Sequence, residues 1–239
     1  MARLRGVLFL AALILTTLVM ALVLWPSLLM GREASRRIAK LWARTALFLA
    51  WATAGVGMAV EGRGNLPRGP AIVAANHQSM WETLALYALL PRPIVVVKRE
   101  LLRIPIFGAW LKAAGSIAID RSAGPKALKR LVADARARAA DGAQLVIFPE
   151  GTRAPAGASL PVQPGVAAIY AALDAPCVPA LHDSGRYWRH PGPDKIPGKI
   201  TLRFLEPIPP GSPRKEFARE LQRLIDQERP DADRSEGHA

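Results

Sequence analysis

Between Gly6 and Gly31 the chain runs 26 residues without a charged side chain, through "VLFLAALILTTLVMALVLW". Such a stretch must be buried in protein or placed in lipid, whatever else the chain does. As a helix it is about 39 Å long, more than the roughly 30 Å hydrocarbon core of a bilayer. A cleaved signal peptide has a shorter apolar region that ends in a small-x-small site. This stretch instead runs through Trp25-Pro26 into Arg32 with no such site well placed. The reading is a retained membrane anchor; the bland alternative is a pair of buried core helices in a soluble protein.

In the following segment, Ile38, Leu41, Trp42, Thr45, Phe48 and Leu49 share one helical face, and Arg37, Lys40 and Arg44 fall on another. That pattern suits a helix lying in a membrane interface. Its uncharged continuation, Thr45 to Val60, has 16 residues and is too short to cross comfortably. If both segments crossed, Arg32, Arg36, Arg37, Lys40 and Arg44 would lie outside, against the positive-inside tendency. One span with an outside N-terminus, or a hairpin dipping into one leaflet, fits better. Net charge is +13, with seven Lys/Arg against one acid in residues 1–60 and 25 against 18 in 61–239. The excess is densest beside the apolar segment, which points to anionic lipid. No zinc-finger spacing, RNP-like aromatic motif or basic zipper supports nucleic acid as a partner. A single cysteine, Cys177, excludes an internal disulfide and fits a reducing cytosol, where it reads as a small buried residue.

After Val60 the character changes. "EGRGNLPRGP" is turn-rich and opens a soluble domain. The runs "AIVAAN", "PIVVV", "SIAID", "QLVIF" and "KITLRFLE" read as strands. They alternate with the helical patterns "WETLALYALL", "IFGAWLKAA", "KALKRLVADARARAA", "GVAAIYAAL" and "RKEFARELQRLIDQE". The alternation predicts an α/β layered domain, a largely parallel sheet flanked by helices, preceded by the N-terminal membrane helical element. The boundaries are 1–60 for the anchor, 61–228 for the domain, and 229–239 for a polar tail that reads as disordered.

Two segments carry chemistry. "NHQSMWET" (Asn76 to Thr83) and "FPEGTR" (Phe148 to Arg153) each follow a buried-looking strand, where α/β domains place ligands. His77 can take a proton from a hydroxyl. Glu82, on the next helical turn, can hold the other ring nitrogen and balance the imidazolium. Gly151 permits a tight turn, and Arg153 can fork two donors onto a phosphate. The parts suit transfer of an acyl group to a hydroxyl on a phosphate-bearing molecule. The bland reading of Glu82 is a capping box with Ser79, three residues earlier. The four histidines are dispersed and no HExxH or CxxC occurs, so no metal is expected. Ser79 and Ser184 lack a nucleophile-elbow context.

"NHQSMWE" resembles the first motif of the glycerolipid acyltransferases, H-x4-D, in a variant carrying Glu. "FPEGTR" matches their third motif as it stands. "VVKRELLRIPIFGAWLKAAGSIAIDR" resembles the second block, and "CVPALHDSG" the proline-bearing fourth. The likeness covers roughly residues 61–207 and is greatest to the 1-acylglycerol-3-phosphate O-acyltransferase branch, which makes phosphatidic acid. It implies that His77 deprotonates the hydroxyl of lysophosphatidic acid, which attacks the thioester of acyl-CoA or acyl-carrier protein (acyl-ACP) directly. Glu82 would orient His77. Gly151, Thr152 and Arg153 would bind the acceptor phosphate, with Lys98 and Arg121 as further basic partners and Glu150 organising the loop. No cofactor beyond the thioester cosubstrate is implied. The expected place is a membrane, the bacterial inner membrane, with the domain on the cytoplasmic face beside its lipids. Alternatives are an acyltransferase for another lyso-acceptor (a lyso-aminolipid or lysophospholipid) and a noncatalytic membrane lipid-binding protein.

Overall fold

The computed structural model describes residues 1–104, 107–119 and 124–231. Helix α1 (Ala2–Leu24) and a short 3-10 stretch (Trp25–Leu29) lead into α2 (Arg32–Ala54), which returns alongside α1. Then come β1 (Val56–Glu61), β2 (Ala71–Ala75), α3 (Trp81–Leu89), β3 (Pro93–Lys98), α4 (Phe107–Ala113), β4 (Ile117–Ile119) and α5 (Gly124–Ala140). The chain continues through β5 (Gln144–Ile147), α6 (Pro164–Leu173), β6 (Cys177–His182), α7 (Ser184–Tyr187), β7 (Gly198–Phe204) and α8 (Arg214–Glu228).

Among the described residues the strands form one seven-stranded sheet in the order β1-β7-β6-β2-β5-β3-β4. Only the β6–β7 pairing is antiparallel. The largely parallel sheet expected from the alternation is therefore present. β2 is buried along its whole length. Its Val73 and Ala75 join the apolar layer that holds α2 and α3, while Ile72 and Ala74 join the layer that holds α5, α6 and α8. Full burial of side chains such as Ile72 and Val73 contributes about 1.5–3 kcal/mol each. A strand covered on both faces reads as the unbroken apolar run seen in the sequence. Because β2, β5 and β6 run in parallel, their carboxyl ends emerge together on one edge, and the two candidate motifs meet there.

Five strands and five of the six described soluble-domain helices fall where the sequence pattern puts them; the short α7 does not appear in it. Two strands do not appear in that pattern. β1 pairs in parallel with β7, Val56 opposite Gly198 through Glu61 opposite Arg203. A boundary between residues 60 and 61 therefore cuts through a strand of the sheet. β6 contains Pro179, which argues against a central strand. The proline is tolerated because the β6–β7 register starts at Ala180, leaving Pro179 one step beyond it with only its carbonyl engaged, by Leu205 N–H at 2.9 Å. The tail also differs from expectation: Arg229 and Asp231 are buried, and residues 232–239 lie outside the described residues.

The N-terminal element is a docked helical hairpin. The packed stripe of α2 is Ala43, Ala46, Ala50 and Ala54, whose small side chains allow close approach to neighbouring helices. The proposed interfacial face is split instead: Leu41 and Phe48 are exposed, while Trp42 turns inward and its Nε1 donates to Thr17 Oγ1 at 2.9 Å. Helix α1 touches the segment between α7 and β7 at its amino end. Lys195 N–H donates to Ala2 O at 3.2 Å, Phe9 packs edge-on against Trp188 at 4.8 Å, and Gly6 lies so close that a Cβ would meet Pro193 O at 1.7 Å. The N-terminus thus stands on the same side as the domain, which favours the hairpin over a single span with an outside N-terminus. Ala2–Leu29 is long and apolar enough to cross a membrane by length and composition. Leu15, Leu18, Leu22 and Val23 stay exposed on α1, joined by Phe48 and Trp51 on α2. Exposed apolar side chains in this number suit association with a membrane.

Candidate active site

His77 follows β2 and carries the contacts that define the site. Its Nδ1 lies 2.7 Å from Glu82 Oε1. A carboxylate only accepts, so Nδ1 holds the proton, and in the neutral ring Nε2 is the nitrogen with the lone pair. The ring stacks on Phe148, centroids 4.0 Å apart and planes 17° from parallel, which fixes its plane. The backbone groups of His77 bond to the FPEGTR segment and to Ala154, the residue that follows it. His77 N–H donates to Glu150 Oε2 at 2.7 Å, and His77 O accepts Ala154 N–H at 2.7 Å. The two motifs are thus one hydrogen-bonded unit.

Glu82 is fully buried on the first turn of α3. Besides His77, its Oε1 accepts the N–H groups of Gln78 (2.9 Å) and Ser79 (2.8 Å). Its Oε2 accepts the hydroxyls of Ser79 (2.7 Å) and Ser184 (2.9 Å). The two readings of Glu82 do not compete in geometry: one carboxylate reaches back to the Ser79 N–H and also holds the imidazole. Burial works against its charge, but attraction to His182 and His77 and hydrogen bonds from His77 and Ser79 outweigh it, holding the carboxyl at about 2. The hydrogen-bond donors carry that balance, because burial pushes His182 down, toward its uncharged form. His182 is also fixed as a neutral tautomer: Nε2–H donates to Asn76 O at 2.7 Å, and Nδ1 accepts Ser184 N–H at 3.2 Å.

Glu150 behaves differently. Only Oε2 is engaged, by His77 N–H; Oε1 has no hydrogen-bond partner among the described residues. Burial raises its carboxyl to about 7, against the pull of the His77 N–H bond and of Arg229. Gly151 adopts φ +70°, the turn its sequence position suggested. Thr152 and Arg153 follow, both exposed. Arg153 Nη1 lies 3.2 Å from His190 Nε2. Burial and the neighbouring guanidinium push His190 down, so its ring accepts from Arg153.

Residues 57–183 match the family model described as Acyltransferase. The chain belongs to that family. It is 37% identical over 171 residues to the 1-acyl-sn-glycerol-3-phosphate acyltransferase of Pseudomonas aeruginosa, covering 72% of this chain and 66% of that protein. It is 31% identical over 158 residues to the human 1-acyl-sn-glycerol-3-phosphate acyltransferase alpha, covering 64% and 56%. The crystal structure of the 1-acyl-sn-glycerophosphate acyltransferase PlsC from Thermotoga maritima superposes with TM-score 0.76 at 23% identity, over 94% of this chain and 95% of that one. The alignments to the Pseudomonas and human proteins span between about half and two thirds of those proteins' length.

In this member of the acyltransferase family the structure brings together His77, Glu82 and Glu150, with Gly151, Thr152 and Arg153 on the adjoining turn. Lys98 is exposed at the carboxyl end of β3, on the same edge of the sheet, and no described hydrogen bond or ion pair joins it to His77 or Arg153. Arg121 lies outside the described residues. Sequence reasoning missed Asn76, Gln78, Phe148, His182 and Ser184 as parts of the site. The fourth block, "CVPALHDSG", held the available signal for His182 and Ser184: polar groups directly after an apolar run that the structure shows to be β6.

Proposed function

We propose that this acyltransferase moves an acyl group from acyl-ACP or acyl-CoA to the free hydroxyl of 1-acylglycerol-3-phosphate, giving phosphatidic acid. The observation that carries the reading is the His77–Glu82 pair, with Nε2 left to accept, bonded through the His77 backbone to the loop that presents Arg153. Arg153 holds the acceptor phosphate by charge-assisted hydrogen bonds, aided by the Gly151–Thr152 turn. As the acceptor oxygen attacks the thioester carbonyl, His77 Nε2 takes its proton and Glu82 balances the imidazolium. The carbon–sulfur bond then breaks, and the departing thiolate receives the proton from His77. No cofactor beyond the thioester is required.

The place proposed for this chemistry is the headgroup layer of the bacterial inner membrane, on the cytoplasmic face, where a lysolipid keeps its tail in the bilayer; the exposed apolar side chains of the hairpin support that reading. The decisive assay combines purified protein, a labelled acyl donor and a panel of lysolipids, with products identified by mass. Lysophosphatidic acid should be the preferred acceptor, and His77→Ala should lower turnover about 10²–10⁴-fold at equal folded protein. Preference for a lyso-aminolipid or lysophospholipid would reassign the acceptor. For location, single cysteines at Arg3 and Ser159 in a Cys177→Ala background should both escape an impermeant reagent applied outside intact cells. Labelling at Arg3 alone would restore the single span with an outside N-terminus.

A further inference from the structure

Just past α8 the chain turns back beneath the site, and two polar side chains there are almost wholly buried. Arg229 has 3% of its side chain exposed and Asp231 none. Arg229 Nη1 donates to Ala158 O at 2.6 Å, Nη2 to Gly157 O at 3.2 Å, and Nε to Ile225 O at 2.8 Å. Asp231 Oδ2 accepts Gly157 N–H at 2.9 Å and Gln78 Nε2–H at 2.7 Å. The two residues form an ion pair at 3.6 Å. Gln78 is the residue after His77. Its N–H reaches Glu82, and its Oε1 accepts Gly185 N–H at 2.9 Å, so both ends of its amide are fixed.

We propose that Arg229 and Asp231 are positioning residues for acyl transfer: together they clamp the Gly157–Ala158 segment of the phosphate loop and tie it, through Gln78, to the loop that carries His77. The inference rests on the acyl-transfer reading above. Its physical ground is where the bonds go. A buried ion pair costs several kcal/mol per ion in desolvation, and an apolar pair could staple the end of α8 as well or better. Of the five side-chain hydrogen bonds these two residues make among the described residues, four go to the two loops that meet at His77 and one to Ile225 O. Gly157 sits at their centre, accepting from Arg229 and donating to Asp231, four residues beyond Arg153. The distance between the base and the acceptor phosphate is thereby set from below, by residues that touch neither substrate.

Asp231→Ala removes the shared acceptor, whereas Asp231→Asn can keep an oxygen at the Oδ2 position. In the full-length enzyme, Asp231→Ala should raise the lysophosphatidic acid KM about ten-fold, the worth of a lost charge-assisted hydrogen bond. The donor KM should stay within about two-fold, and Asp231→Asn should recover most of the loss. Hydrogen–deuterium exchange should quicken in residues 76–80 and 151–159 of the alanine variant and leave β2 and β5 unchanged. Equal changes in both KM values, or unaltered exchange in the two loops, would overturn the proposal. Should Asp231→Ala fail to accumulate, Arg229→Lys decides in its place. It keeps the charge but cannot bridge two carbonyls, and an unchanged acceptor KM and loop exchange would count against the clamp. A wild-type enzyme inactive on lysophosphatidic acid sinks the acceptor assignment instead, while the exchange experiment still judges the clamp.

Discussion

Loop 76–80 and loop 151–157 meet at His77, yet they are held in opposite ways. In the first, Asn76, Gln78 and Ser79 are buried and their polar atoms are bonded to Glu82, His182, Ser184 and Asp231. In the second, Thr152 and Arg153 face solvent, and the segment hangs from a few contacts at Phe148, His77 and the end of α8. Their carboxylates show the same contrast. Glu82 is saturated with donors and held at about 2, whereas Glu150 has one engaged oxygen and is raised to about 7. Proton transfer needs a base fixed in angle and tautomer, which a dense buried network supplies. Capture of a phosphate from the membrane surface needs an exposed cation that can move to meet it.

Replacing Glu82 tests the contrast most severely. In Glu82→Gln the amide oxygen can stand at the Oε1 position and accept from His77, Gln78 and Ser79. The NH2 group then faces the hydroxyls of Ser79 and Ser184, which can rotate to accept. The fold should survive with a melting shift of only a few degrees, roughly the effect of 1 kcal/mol. The charge that balances the imidazolium is gone, so kcat should fall by at least about ten-fold. Glu82→Ala strands the N–H groups of Gln78 and Ser79 and should unfold the loop. Near-normal turnover in the glutamine variant would reduce Glu82 to a cap and erase the distinction between the loops.

On the exposed side, Arg153→Ala should act on binding alone. A lost charge-assisted contact is worth about 1.5–3 kcal/mol, so the acceptor KM should rise about ten-fold or more. The donor KM and the melting temperature should hardly move. If the donor KM rises instead, Arg153 serves the thioester site and the phosphate assignment is wrong.

What was legible in the sequence follows the same division. His77, Glu82 and the Gly151–Arg153 turn stood out because they sit at fixed spacings beside strong apolar runs. The alternation of periods revealed five strands and all the described soluble-domain helices but the four-residue α7. β1 stayed hidden because "VGMAVE" continues the apolar character of α2, and a six-residue strand at a sheet edge has no periodicity of its own. β6 was masked by Pro179, whose tolerance depends on where the β7 ladder begins. Asp231 and Arg229 were invisible for a different reason: their burial is explained by partners about 70 to 150 residues away, and no local pattern announces such pairs. Composition alone made them look like solvated tail.

The mildest test concerns Glu150. In the folded protein its carboxyl keeps the proton up to about pH 7, while an unfolded chain releases it near 4.5. Between those values the native state binds more protons than the unfolded one, so this group's contribution to stability is full below pH 4.5 and is lost as pH rises toward 7. Glu82 has the opposite sign and a separate window. Its contribution is present above pH 4.5 and disappears as pH falls toward 2, so the two do not overlap. Glu150→Gln keeps an oxygen for His77 N–H and removes the titration. The variant's melting temperature, relative to wild type, should therefore be higher at pH 8 than at pH 5, by the equivalent of about 2.5 kcal/mol at most. Turnover at pH 8 should change less than in Glu82→Gln, because Glu150 holds the backbone of His77 and not its ring. A melting difference that is flat from pH 5 to 8 would show that Glu150 is ionised throughout, leaving the two carboxylates alike in charge and different only in their partners.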